Sequence, residues 1–230
     1  MRIKLLIILI ISINLVNADS DIIYKHHYEL SKHNIKFAET INSLYKDGAR
    51  WTYRIESNSA GIFKIKKDNR VEQSSFIKNN ETLVTLKYTF KKTTKEKKEN
   101  IETSFFNKNN YAFTIKDDFK QEHLNLSSPF DRLSVQIDIK DQIKNGIYNK
   151  EYSVIDKGRV RKYYFSLFGY EDIDTIFGMT ETLIIRKIIE GSKRNTLTWY
   201  AINHDFIPVM IKQYRKNSLK FNAKLKKINH

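Results

Sequence analysis

The sequence predicts a mainly β protein: a large curved antiparallel sheet, an open or half barrel, with one main helix packed against it. Three observations lead there. Aromatic and β-branched residues alternate with polar ones at period two along most of the chain. Short polar or glycine-containing connections join these runs, which makes consecutive strands antiparallel neighbours. Only one segment carries helix start and stop signals. A sheet of about ten strands must curl or split to bury its apolar face, and one helix covers only part of its concave side.

Residues 1–18 stand apart from the fold. Arg2 and Lys4 precede an almost unbroken aliphatic run from Leu5 to Val16, and Val16-Asn17-Ala18 resembles a cleavage site ahead of Asp19. The run is about a dozen residues, short of the roughly twenty that span a bilayer. It reads as a signal peptide removed after Ala18. Residues 19–230 are then expected to form a single β-rich domain, exported to the periplasm and not membrane-spanning.

In the first meander, Tyr24, His26, Tyr28 and Leu30 alternate with Lys25, His27 and Glu29. Trp51, Tyr53 and Ile55 follow the same rule, as do Tyr111, Phe113 and Ile115. Val84, Leu86, Tyr88 and Phe90, set against Thr85, Lys87, Thr89 and Lys91, give the cleanest period-two segment. The stretch Lys91 to Asn100 has no apolar residue and reads as an exposed hairpin loop before a strand at Ile101 to Phe106.

Ser128-Pro129-Phe130-Asp131 then supplies a cap, a proline at the first helical position and an acid in the first turn. Phe130, Leu133, Gln136 and Ile137 recur at helical spacing, Val135 and Ile139 fall off that face, and Gly146 suits a C-cap. The spacing predicts a helix from Pro129 to Lys144, with Leu133 and Ile137 against the sheet.

A second meander follows: Glu151 to Ile155, a turn at Asp156-Lys157-Gly158, and Arg159 to Phe168. Glu171, Asp172 and Asp174 lack the glycine and terminal glutamate of a calcium loop and read as a solvated connection. Strands at Thr180 to Glu190, Asn195 to Ile202 and Ile207 to Arg215, and a last one ending near Ile228, complete the chain. An outer-membrane barrel is excluded, because lysines crowd the polar faces and a capped helix interrupts the series.

The C-terminal half carries a resemblance. "EYSVIDKGRVRKYYFSLFGYEDIDTIFG" follows the helix, then "ETLIIRKI" and "RNTLTWYAINHDFIPVMIKQY", after an early tyrosine-rich "YKHHYELSKHNIKFAET". Together with Trp199, Asp205, Pro208, Val209 and Ile211, this resembles domain-of-unknown-function family 3108, a family of uncharacterised exported bacterial proteins. The resemblance implies an envelope location and an all-β body, and it brings no active residues with it.

Composition removes several chemistries. The absence of cysteine excludes thiolate catalysis, thiolate metal sites and a lipoprotein anchor, so stability rests on packing. His26 and His27 point to opposite faces of a strand and complete no zinc shell. The chain has no G-x-S-x-G elbow, phosphate loop or dinucleotide fingerprint. Neither metal nor cofactor is expected, and the balance leans away from an enzyme. The formal charge of +15 comes in a chain saturated with Lys, Ile and Asn, the residues of AT-rich codons. An exported protein rarely meets nucleic acid, so no nucleic-acid partner is expected.

Two function classes remain. In the first, the curved sheet binds a lipid or other apolar envelope molecule, with the helix as lid and Trp51, Tyr53, Leu133 and Trp199 as lining. In the second, the protein is an envelope scaffold whose basic strand faces, at Lys87, Lys91, Arg159 and Arg161, hold an anionic polymer or a protein partner.

Overall fold

A computed structural model describes residues 21–79 and 82–229; the expected signal peptide lies outside them. The first meander runs β1 (Asp21–Lys32), β2 (Ile35–Asp47), β3 (Arg50–Ser59), β4 (Asn69–Lys78), β5 (Leu83–Thr93), β6 (Lys98–Phe106), β7 (Tyr111–Lys116) and β8 (Phe119–His123). After β9 (Phe130–Asp131) and the helix α1 (Ser134–Lys144), the second runs β10 (Lys150–Asp156), β11 (Arg159–Thr175), β12 (Gly178–Ile189), β13 (Arg194–Ala201), β14 (Ile207–Arg215) and β15 (Ser218–Asn229). β1 pairs with β15, so both meanders join into one sheet of order β8-β7-β6-β5-β4-β3-β2-β1-β15-β14-β13-β12-β11-β10-β9.

That order forces the curvature. Laid flat, fifteen strands would span about 67 Å at ~4.8 Å per spacing. Yet the two outermost strands, β8 and β9, are joined by residues 124–129 alone, which reach at most ~25 Å from strand end to strand end. The sheet therefore curls until its edges approach, without closing into a barrel. At the seam the β10–β11 turn, with Lys157 and Gly158 both at positive φ, rests on β7. A Cβ at Gly158 would lie 3.2 Å from the Thr114 methyl, so glycine serves both the turn and the close approach.

α1 lies inside the curl and is buried on two sides. Leu133 and Ile137 pack with Tyr53, Phe76, Tyr88, Phe90 and Ile101 of the first meander. Val135, Ile139 and Ile143 pack with Tyr152, Tyr163, Phe165, Leu183 and Ile185 of the second. This explains why Val135 and Ile139 fall off a single helical face: the helix has two apolar faces because sheet surrounds it. Gly146 at φ +75 ends it, with Ile147 N–H donating to Gln142 O and Gly146 N–H to Ile143 O, a Schellman motif.

The helix starts later than the Pro129 expected from sequence. Phe130 and Asp131 form β9, pairing in parallel with Val154 and Ile155. Asp131, not Ser128, makes the helix-initiating contacts: its carboxylate accepts from Leu133 N–H (2.6 Å) and Ser134 N–H (2.9 Å), while Ser134 Oγ accepts from Asp131 N–H (2.9 Å). This reciprocal pair works as a capping box. Two further expectations are corrected. Among the described residues the strands number fifteen rather than about ten, and Glu171, Asp172 and Asp174 belong to β11, which continues past a bulge at Leu167/Gly169 as a long hairpin with β12.

Asp131 also accepts from Ser74 Oγ on β4 and is fully buried. Burial pushes its pKa up to about 6, against the pull of the Ser74, Ser134 and Leu133 donors. An unfolded aspartate titrates near 4, so between about pH 4 and 6 the folded chain holds more protons than the unfolded one. Stability therefore falls as pH rises through that window, by up to about 3 kcal/mol, and levels off above it. Asp131→Asn keeps the capping oxygen and removes the titration. Urea unfolding of both proteins from pH 4 to 7 should show wild type losing ground to the variant as pH rises.

Candidate functional site

The curl is only partly filled by α1. Between the helix and β1, β2, β3, β12, β13, β14 and β15 remains a cavity of about 250 Å³. The period-two face recognised in β1 lines it, with Tyr24, His26, Tyr28 and Leu30. β2 and β3 add Thr40, Asn42, Tyr53 and Ile55, and α1 contributes Gln136, Ile137, Ile139 and Lys140.

Two of the lining tyrosines, Tyr28 and Tyr53, serve as apolar walls with engaged hydroxyls. Tyr28 Oη donates to Pro208 O at 2.8 Å, and Tyr53 Oη accepts from Asn42 Nδ2 at 3.1 Å. Burial raises both phenols above the ordinary tyrosine range, so they stay neutral. Tyr24 stacks on His26 with ring centroids 4.1 Å apart.

On the facing wall, strand register arranges the side chains in two rows. Lys187 stands opposite Thr196, and Thr196 opposite Gln213. One step along, Ile185 stands opposite Thr198, Thr198 opposite Ile211, and Ile211 opposite Ala223. All seven line the cavity, a polar row beside a mostly apolar one. Among the described residues, no aspartate or glutamate lines it.

The chain matches the family Protein of unknown function (DUF3108) over residues 24–224. The chain belongs to the DUF3108 family. This is the family that the strand and tryptophan–proline pattern resembles. No curated protein matches this DUF3108 chain by sequence. In structure it is similar to a β-barrel-like protein of domain of unknown function DUF1849 from Brucella abortus. That similarity has a TM-score of 0.60 at 7% identity, over 90% of this chain and 96% of that one, and it is a likeness of fold. A protein from Bacteroides fragilis described as exported, with a YmcC-like fold, aligns over 90% of this chain and 95% of its own at 8% identity. Its TM-score of 0.37 is too low to support any argument.

Of the four lining candidates read from the DUF3108 sequence, Tyr53 lies in the cavity wall. Trp51 packs at the margin of the first core, with Lys46 Nζ 5.2 Å and Lys78 Nζ 5.8 Å from its ring. Leu133 is core, 1% exposed. Trp199 faces away, because its neighbours Thr198 and Tyr200 point inward and strand side chains alternate. Its indole donates to Glu171 at 2.7 Å on the outer face.

The four basic candidates do not share a face. Lys87 pairs with Glu102 at 2.7 Å, and Lys91 is exposed on the same strand, where the adjacent Tyr88 and Phe90 are buried inward. Arg159 lies at the seam near Gly158. Arg161 shares the alternation of buried Tyr163 and reaches Asp156 and the Glu190 carbonyl.

Sequence reasoning passed over Lys187, Thr196 and Gln213. One signal was present: Leu183, Ile185, Lys187 and Ile189 fall on one face of a strand, and a lysine in such a row is out of place.

Proposed function

We propose that this is a non-catalytic envelope protein, exported to the periplasm by its N-terminal signal, that binds a lipid or other apolar molecule inside its curved sheet. The observation that carries the reading is the cavity of about 250 Å³ walled by tyrosine rings and aliphatic side chains. A core whose purpose was stability alone would fill such a space, since interiors pack to crystal-like density. The scaffold reading has less support, because Lys87 and Lys91 lie on the outer side of β5 while Arg161 turns inward.

At ~30 Å³ per small group, the share of one water, the cavity holds roughly eight such groups. This suits one acyl chain rather than two. Eight buried methylenes contribute about 6 kcal/mol, against an association cost of 4 kcal/mol or more, so a tail alone binds weakly. Native mass spectrometry of protein purified from the periplasm without detergent, then solvent extraction, tests the reading. The expected result is a chain starting at Asp19 with an excess mass that extracts. A clean sequence mass from freshly isolated protein would contradict ligand binding, and a retained N-terminus would contradict export through a cleaved signal.

A further inference from the structure

Resting on that reading, we propose that the occupant is a single-chain amphiphile with an anionic headgroup, and that Lys187 holds the head. Among the described residues, the cavity wall carries two lysines and no carboxylate. One of the two is already neutralised: Lys140 Nζ lies 3.0 Å from Asp205 Oδ2. Lys187 has no carboxylate within ion-pairing distance among the described residues, and its ammonium lies 5.3 Å from the centre of the Tyr163 ring.

The acids that could have served Lys187 are taken. Arg132 Nε lies 3.3 Å from Asp156, and its Nη1 lies 3.4 Å from Glu72. Asp156 also faces Arg161, and Glu72 accepts from Tyr88 Oη at 3.1 Å. An unneutralised cation inside a protein is costly unless something pairs with it. Thr196 and Gln213, next in its row, add donors that a carboxylate, phosphate or sulfate can use. Beside them Ile185, Ile211 and Ala223 offer a wall for the tail.

The electrostatics agree with the geometry. Desolvation first, and Arg132 next, push the Lys187 pKa down to about 8, with Asp156 and Glu72 opposing. An arriving anion would reverse that shift. Binding near pH 8.5 should therefore take up a proton, and affinity should fall as pH climbs further.

Titration calorimetry on the mature protein with octanoate, methyl octanoate and acetate separates the possibilities. Octanoate is expected to bind at least about tenfold more tightly than its methyl ester, with acetate silent at the same concentration. Lys187→Met should erase the difference between acid and ester while keeping the ester's own affinity. Lys187→Gln serves as a second variant if the first does not fold. Equal binding of acid and ester to wild type would overturn the anionic head and leave the cavity reading standing. Acetate binding as tightly as octanoate would mean a small-anion site and would also overturn the proposal. Failure of acid and ester alike, with protein first stripped by solvent, would sink both readings.

Discussion

Arg132→Met is expected to lower the unfolding free energy by about 2–3 kcal/mol, moving the melting temperature down by roughly 5–10 °C. Arg132 sits between α1 and the strands and bridges Glu72 on β4 to Asp156 at the end of β10. It thus ties the first meander to the second where no backbone ladder does. Burial opposes its charge, but Glu72 and Asp156 outweigh that cost and keep it firmly protonated. Methionine retains the apolar stem and removes the charge, leaving two inward-facing carboxylates without a cation. The side chain is 30% exposed, which places the cost below that of a fully buried pair. Chemical denaturation measures the loss, and adding Asp156→Asn to Arg132→Met should recover part of it. Full additivity of the two substitutions would contradict the bridge.

Thr198→Trp is expected to abolish ligand binding, a loss of about a hundredfold or more, while changing stability by about 1 kcal/mol or less. Thr198 lies between Ile185 and Ile211 in the middle of the apolar row, so an indole there projects into the cavity. Overpacking a filled core is destabilising, whereas filling an existing space has little to displace. Titration of an apolar fluorescent dye reads the affinity, and urea unfolding reads the stability. A variant that binds normally would place the ligand elsewhere. A variant that loses several kcal/mol would mean the space is not available.

How much of this was legible in the sequence depends on what each strand faces. β5 was plain because its inward side chains, Tyr88 and Phe90, are buried apolar groups between polar ones. β2 and β4 were not, since their inward residues include Thr40, Asn42 and Ser74, which meet the cavity or the Asp131 carboxylate. Polar lining erases the period-two signal that burial creates. β9 is two residues long and held by one parallel pairing, which no local pattern announces. The acids of β11 looked like a loop because they alternate with few apolar residues on a hairpin whose Ile173 and Phe177 pack against the Trp199 cluster, where Glu171 takes the Trp199 indole as partner. The helix was legible in place and in its end at Gly146. Its start was displaced because the decisive partner of Asp131 is Ser134, a polar pair that a search for Ser or Thr caps passes over. Lys187 was missed for a related reason. A cation becomes informative only once neighbouring acids are seen to be committed to Arg132.

The central claim is that the space between α1 and the curved sheet is a binding cavity. Native mass spectra of wild type and Thr198→Trp, both isolated from periplasm without detergent, test it most directly. The account predicts an extractable excess mass on wild type that is missing from the variant. The same excess mass on both proteins, or on neither, would contradict it.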